Sequence, residues 1–236
     1  MYPEQMNLYG DRGNLIALVM RARWRGIPVR YHSVGPGEGG DFSGYDICFM
    51  GGGQDHEQQL IGEDLVRRKG PDLKAAVEDG LVVFTVCGGY QLLGEYYTMG
   101  GGLKIPGLTL LDCRTDAGTR RMIGNLVVSS SFGGTVKTLV GFENHSGRTR
   151  LGGEVEPLGR VLKGFGNNGE DQTEGAVYKN CVGTYLHGSA LPKNPWLTDV
   201  LLLRALERRY GRFDLEPLDD VVEQAAHRVA IRLAGA

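Results

Sequence analysis

The run Leu81-Val82-Val83-Phe84-Thr85-Val86, followed at once by Cys87-Gly88-Gly89, constrains this chain more than any other feature. A continuous stretch of apolar and β-branched residues, with no polar alternation, suits a strand covered on both faces, as in a parallel sheet. The two glycines permit a sharp turn, and a helical pattern then runs over Tyr90 to Tyr97. A cysteine is thereby placed at a strand-turn-helix elbow.

Similar punctuation recurs along the chain. A helix is expected from about Asn14 to Arg25, with Leu15, Leu18, Val19 and Ala22 on one face, then a strand over Ile27 to Tyr31. Tyr45 to Met50 is a short apolar run ending in Gly51-Gly52-Gly53. Helical spacing resumes over Glu57 to Lys69 and Pro71 to Asp79, stopped by Gly80. Further strands are expected over Ile105 to Leu111, Asn125 to Ser130, Leu139 to Glu143 and Ala176 to Leu186, and a helix over Pro195 to Tyr210. Alternating strands and helices predict an α/β fold with a doubly wound, mostly parallel sheet flanked by helices. We expect residues 1–210 to form this unit, with 211–236 as a C-terminal helical extension over Leu218 to Leu233. Only Met1-Tyr2-Pro3 stands where such sheets open with a central strand, so that strand is expected to be vestigial or to lie upstream.

Composition removes several function classes. The formal net charge of -2 over 236 residues suggests neither a nucleic acid nor an acidic membrane partner. No apolar stretch approaches the roughly 20 residues of a membrane span, and no signal peptide is evident, so a cytoplasmic protein is expected. Cys48, Cys87, Cys113 and Cys181 lack metal-ligand spacing, which predicts neither a zinc site nor a disulfide framework.

The elbow gives Cys87 a chemical setting. A helix N-terminus favours the thiolate, and its N–H groups face a developing oxyanion. Free cysteines are more often small buried hydrophobes, which is how Cys48, Cys113 and Cys181 read within strand-like runs. A nucleophilic cysteine needs a base. His187 follows the strand Val182 to Leu186 and His145 follows Val140 to Asn144, and spacing alone leaves both open. His32 and His56 read as solvent-facing, and His227 as part of a late helix. The Gly51-Gly52-Gly53-Gln54-Asp55 turn also follows a strand, so Gly53 and Gly88 are candidates to share an oxyanion hole. A phosphate loop is the weaker reading, because the Walker lysine and GxGxxG pattern are absent.

Together these blocks resemble a known family. Thr85 to Gly94 resembles the nucleophile elbow of class I glutamine amidotransferases of the cobyric acid synthase type. Asn7-Leu8-Tyr9-Gly10-Asp11-Arg12-Gly13-Asn14, Gly51 to Asp55, Gly141 to Thr149 and Gly183 to Gly188 narrow the likeness. It points to the glutaminase-subunit family (GatD type) of lipid II isoglutaminyl synthase and covers about residues 1–210. The resemblance implies Cys87 as nucleophile, His187 as catalytic histidine, and Arg121 as the cation holding glutamine's carboxylate. It places Gly53, Gly88 and Gln91 at the substrate. It implies no metal or cofactor on this chain, and a Mur-ligase-like (MurT type) partner that uses ATP and Mg to amidate D-glutamate of lipid II. Class I enzymes usually carry a glutamate two residues after the histidine. Here Ser189 stands there, and the expectation is that the partner supplies an acid in trans. The other readings are a glutaminase for cobalamin-type amidation and a non-catalytic scaffold, the latter disfavoured by the presence of both Cys87 and His187.

Overall fold

The computed structural model describes residues 1–236. After α1 (Arg12–Trp24) the chain enters β1 (Ile47–Met50). Next come α2 (Asp55–Glu63), a wide helical segment (Asp64–Lys69) and α3 (Gly70–Glu78), which run on without a break. Then follow β2 (Val82–Val86), α4 (Gly88–Leu93), and the short strands β3 (Tyr96–Thr98) and β4 (Lys104–Pro106). Two long strands, β5 (Cys113–Ser130) and β6 (Lys137–Leu151), form the middle of the chain. β7 (Gly159–Lys163), β8 (Thr173–Glu174), β9 (Ala176–Tyr178) and β10 (Cys181–Thr184) complete the strands. The chain closes with α5 (Ala190–Lys193), α6 (Pro195–Tyr210) and α7 (Val221–Ala234).

Two sheets organise these elements. The first has the order β1-β2-β10-β9, with β2 parallel to both β1 and β10. All five residues of β2 are buried, as its unbroken apolar run predicts. At roughly 1.5–3 kcal/mol for each fully buried large side chain, this strand anchors the core. Gly183 in β10 lies against the Tyr90 ring, where an added Cβ would come within 2.1 Å of Cδ2, so the elbow helix packs directly onto its neighbouring strand.

The second sheet, β4-β3-β5-β7-β8 with β6 beside β5, is antiparallel except for the β3–β5 pair. The expected parallel arrangement is therefore limited to β1, β2 and β10 in the first sheet and the short β3–β5 pair in the second. The middle of the chain pairs through a hairpin-like ribbon instead. Ala176 to Leu186 likewise divides into antiparallel β9 and β10 around Lys179-Asn180. Ile105 to Leu111 contributes only β4, and the helix expected over Tyr90 to Tyr97 ends at Leu93 before Gly94, so that Tyr96 joins β3. No strand forms over Ile27 to Tyr31; that stretch is extended without a ladder partner. The first residues form no strand either, although the Met1 amine donates to Phe49 O at 2.6 Å and Tyr2 N to Val34 O at 2.7 Å.

The C-terminal stretch is tied to the body by charge as well as packing. The buried Arg21 guanidinium on α1 forks onto Asp199 of α6 and Asp220 at the start of α7, both at 2.6 Å. Two carboxylates satisfy its donors, which a buried guanidinium requires. Ile231 and Ala234 of α7 pack on Val127 and Val140 of the long ribbon. His227 bonds Lys193 O and Thr138 Oγ1, each at 2.8 Å, and so serves this docking. No helix is long and apolar enough to cross a membrane.

Candidate active site

Cys87 is the residue between β2 and α4, with φ 51° and ψ -108°. A non-glycine residue in that region is strained by about 1–3 kcal/mol and persists only where its surroundings enforce it. The enforcement is visible. Cys87 N donates to Thr184 O at 2.8 Å, and Gln91 N returns to Cys87 O at 2.9 Å. An added Cβ on Gly89 would lie 2.7 Å from Gly51 O, and one on Gly88 would lie 2.7 Å and 2.8 Å from Gly53 O and N. Only glycine permits the elbow and the Gly51–Gly53 turn to approach so closely. The N–H groups of Gly53 and Gly88 donate to no protein acceptor.

The structure separates the two candidate histidines. His187 follows β10 and is fixed to β6 by reciprocal backbone bonds with Phe142 at 2.8 and 3.2 Å. Its ring is fully buried, and Tyr9 stands edge-on at 5.0 Å between centroids. Burial would lower its pKa, but the Cys87 side chain and then Asp11 overcome that and push it up to about 10. Burial pushes the Cys48 thiol up to about 11 and the Cys113 thiol up to about 12. They are core residues, as expected.

His145 lies inside β6, stacked on Tyr185 at 3.5 Å between centroids, with Nδ1 bonded to Gly147 O at 3.0 Å. Burial, chiefly, holds its pKa down to about 3 from 6.5. The folded chain therefore binds fewer protons here than the unfolded one between those values, and His145 costs stability as pH falls through 6.5. Neighbouring Glu143 and Glu174, each raised by burial to about 7, act in the opposite sense between 7 and 4.5. His145→Phe keeps the stack and removes the titration. Its melting temperature relative to wild type should rise as pH falls from 7 to 5, by up to about 1.4 kcal/mol of stability per pH unit below 6.5. A pH-independent difference in thermal melts would count against this account.

A carboxylate that spacing did not reveal completes the group. Asp11 is fully buried; its Oδ2 accepts from Gly52 N at 2.6 Å and its Oδ1 lies 3.7 Å from His187 Nδ1. A Cβ on Gly52 would lie 3.1 Å from His187 Cε1, 3.2 Å from Asp11 Oδ2 and 3.5 Å from Cys87 Cβ, so all three side chains converge there. Asp11 is thus the carboxylate of this chain that lies nearest the His187 ring. Its position just before α1 reads as a helix cap, but its side chain caps nothing, and Asn7 Oδ1 takes Arg12 N instead at 3.0 Å. Ser189 does not face the histidine: its hydroxyl donates to Gly10 O at 2.6 Å and pins the Asn7–Asp11 segment.

Arg121 is brought to the same mouth. Residues 118–121 bulge from β5 opposite Ser146, between the pairs Ala117–Gly147 and Met122–His145. Bulges of this kind re-aim side chains beside sites. Arg121 donates to Asn144 Oδ1 at 2.5 Å and to Tyr9 Oη at 3.3 Å, and Tyr9 touches His187. Gln91, expected at the substrate, is instead buried behind the elbow. Its Oε1 accepts from Gln58 Nε2 at 3.0 Å and its Nε2 donates to Tyr185 Oη at 3.1 Å. Because Gln58 Nε2 also reaches Gly53 O at 3.2 Å, this amide chain props the glycine turn. Gln91 lies one helical turn past the elbow, on the inner face of α4, which sequence order does not distinguish from the outer one.

An elbow cysteine, a buried histidine and two facing glycine turns define a class I amidotransferase-type site. The chain belongs to the CobB/CobQ-like glutamine amidotransferase domain family, whose model matches residues 1–195. It is 46% identical over 228 residues to the lipid II isoglutaminyl synthase (glutamine-hydrolyzing) subunit GatD of Staphylococcus aureus, covering 97% of this chain and 91% of that one. Identity to the same subunit of Streptococcus pneumoniae is 39% over 226 residues, covering 95% and 86%. A probable cobyric acid synthase of Methanothermobacter thermautotrophicus is 39% identical over 120 residues, covering 45% of this chain and 23% of that protein. Among solved structures, PurLQS from Thermotoga maritima superposes with TM-score 0.60 at 17% identity, covering 89% and 95%, and shows the fold alone. A second glutamine amidotransferase structure does so with TM-score 0.56 at 19% identity, covering 80% and 93%.

Proposed function

We propose that this chain is the glutaminase subunit of a lipid II isoglutaminyl synthase, hydrolysing L-glutamine and passing ammonia to a synthetase partner. The convergence of Cys87, His187 and Asp11 around Gly52 carries the reading. The near end-to-end match to GatD subunits supports it over cobalamin-type amidation, because the cobyric acid synthases are matched over less than a third of their length. The partner is Mur-ligase-like (MurT type), with ATP and Mg bound there, and it amidates the α-carboxyl of D-glutamate in the stem peptide. Residues 1–210 form the amidotransferase unit and 211–236 an extension.

The reaction is acyl transfer. The Cys87 thiolate attacks the side-chain amide carbon of glutamine, and the N–H groups of Gly53 and Gly88 receive the oxyanion. His187 gives its proton to the departing nitrogen, so ammonia leaves and a thioester remains. His187 then takes a proton from water as it attacks the thioester; glutamate departs and Cys87 is restored. Arg121 at the mouth pairs with the substrate's α-carboxylate.

Purified together with its synthetase subunit, the chain should support glutamine- and ATP-dependent amidation of lipid II, read by mass spectrometry of the stem peptide. Amidation of a corrinoid substrate in place of lipid II, or amidation that proceeds from glutamine without this chain, would refute the assignment.

A further inference from the structure

The last helix carries two apolar stripes, and the fold uses one of them. Ala230, Ile231 and Ala234 of α7 pack on Val127 and Val140 of the β5–β6 ribbon. Val222, Ala226, Val229 and Leu233 recur at helical spacing beside that stripe and face solvent, with Val222 76% and Leu233 75% exposed. One exposed apolar side chain means little, whereas a row of them marks a binding face. This row runs into the mouth of the candidate site. Leu233 O accepts from Asn125 Nδ2 at 3.4 Å. Two residues back along β5, Ile123 is 52% exposed, and its cross-strand partner Asn144 is the residue whose Oδ1 holds Arg121. Arg121, Arg228 and Arg232 are exposed along its edge, and none of the three forms an ion pair. The helix also lies beyond the domain that the whole family shares. The family model ends at residue 195, whereas the match to the Staphylococcus aureus GatD subunit takes in 97% of this chain and so reaches into α7. In the cobyric acid synthase the matched region makes up only 23% of a longer chain.

We propose that the free stripe of α7, continued by Ile123, is the docking face for the synthetase subunit. The proposal rests on the glutaminase-subunit reading, and three observations select this occupant. Ammonia released at Cys87 is useful only if it reaches the synthetase before bulk water protonates or dilutes it, so that subunit must cover the mouth. The stripe is continuous with the mouth through Ile123 and Asn144, so one partner surface covers both. The helix belongs to the part of the chain shared with separate subunits, which must hold their partner without a covalent link. An apolar centre with a cationic edge calls for a partner surface with an apolar centre and acidic residues around it.

Calorimetric titration of the full chain with the synthetase subunit tests this, using Val229→Glu with Leu233→Glu on α7, Ile123→Glu on β5, and Leu103→Glu as a control. Leu103 is equally exposed but sits on the turn between β3 and β4. The α7 pair and Ile123→Glu should each raise Kd by about 10- to 100-fold, and the control should leave it unchanged. All the substituted side chains are exposed, so thermal melts should stay near wild type. Ile123→Glu acts from β5, so its effect does not depend on α7 staying docked. At subunit concentrations below the raised Kd, glutamine-dependent amidation should fall while synthesis from ammonium chloride persists. An unchanged Kd for both the α7 pair and Ile123→Glu would overturn the inference and leave the glutaminase reading standing. So would a wild-type chain that sediments alone as a dimer and is dispersed by the α7 pair, because the stripe would then serve a second copy. A synthetase subunit that does not bind the wild-type chain at all would overturn the subunit reading itself.

Discussion

Cys87→Ala should abolish glutamine hydrolysis by the complex, by on the order of 10⁴-fold or more, because no other group on this chain can form the thioester. Synthesis driven by added ammonium chloride should survive, since the synthetase reaction needs ammonia and not Cys87. The pair of assays distinguishes lost chemistry from a lost complex. Wild-type rates of glutamine-dependent amidation by Cys87→Ala would end the catalytic reading. The elbow makes a companion prediction for stability. Alanine keeps the Cβ in the strained conformation at φ 51°, whereas glycine relieves it. Cys87→Gly should therefore unfold at higher temperature than Cys87→Ala, by roughly 1 kcal/mol in stability, while being equally inactive.

Gly88→Ala is the second substitution expected to act strongly. Its methyl group would lie 2.7 Å from Gly53 O and 2.8 Å from Gly53 N, backbone atoms that cannot rotate away. The two N–H groups proposed to receive the oxyanion must then part, and a lost or displaced donor of this type costs about 10²–10³-fold in kcat. The fall should appear in kcat rather than KM, because the oxyanion exists only in the transition state and intermediate. Steady-state kinetics of the complex, alongside a thermal melt, tests this. A variant with unchanged kcat would remove Gly53 and Gly88 from the oxyanion hole.

The elbow was legible because everything that builds it is local. An apolar strand, two glycines and a helix fall within one short stretch, and φ, glycine freedom and helix direction act over a few residues. The Pro195–Tyr210 helix was legible for the same reason, with apolar residues at helical spacing, and the structure has those bounds. The strand expected over Ile27 to Tyr31 failed because an extended, partly apolar stretch becomes a strand only if a neighbour offers its backbone, and none does. The mostly parallel sheet was over-extended for a related reason. Short apolar runs look alike whether they pair in parallel or antiparallel fashion, and the β5–β6 ribbon is set by a turn and register rather than by composition.

The site divides along the same line. The sequence by itself singled out Cys87 as the proposed nucleophile, the glycines that surround it, and the family through ordered blocks. Tertiary structure separated the two candidate histidines: His187 and His145 each follow an apolar run, but only His187 stands beside Asp11 and Cys87. It also moved Gln91 behind the elbow, carried Arg121 to the mouth on a bulge, and buried Asp11 beside the glycine turn and His187. Propensity and spacing act along the chain over one or two turns. Pairing between buried groups is set by how sheets and loops close in space, and a carboxylate at the start of α1 meets a histidine after the last strand only when both sheets are in place.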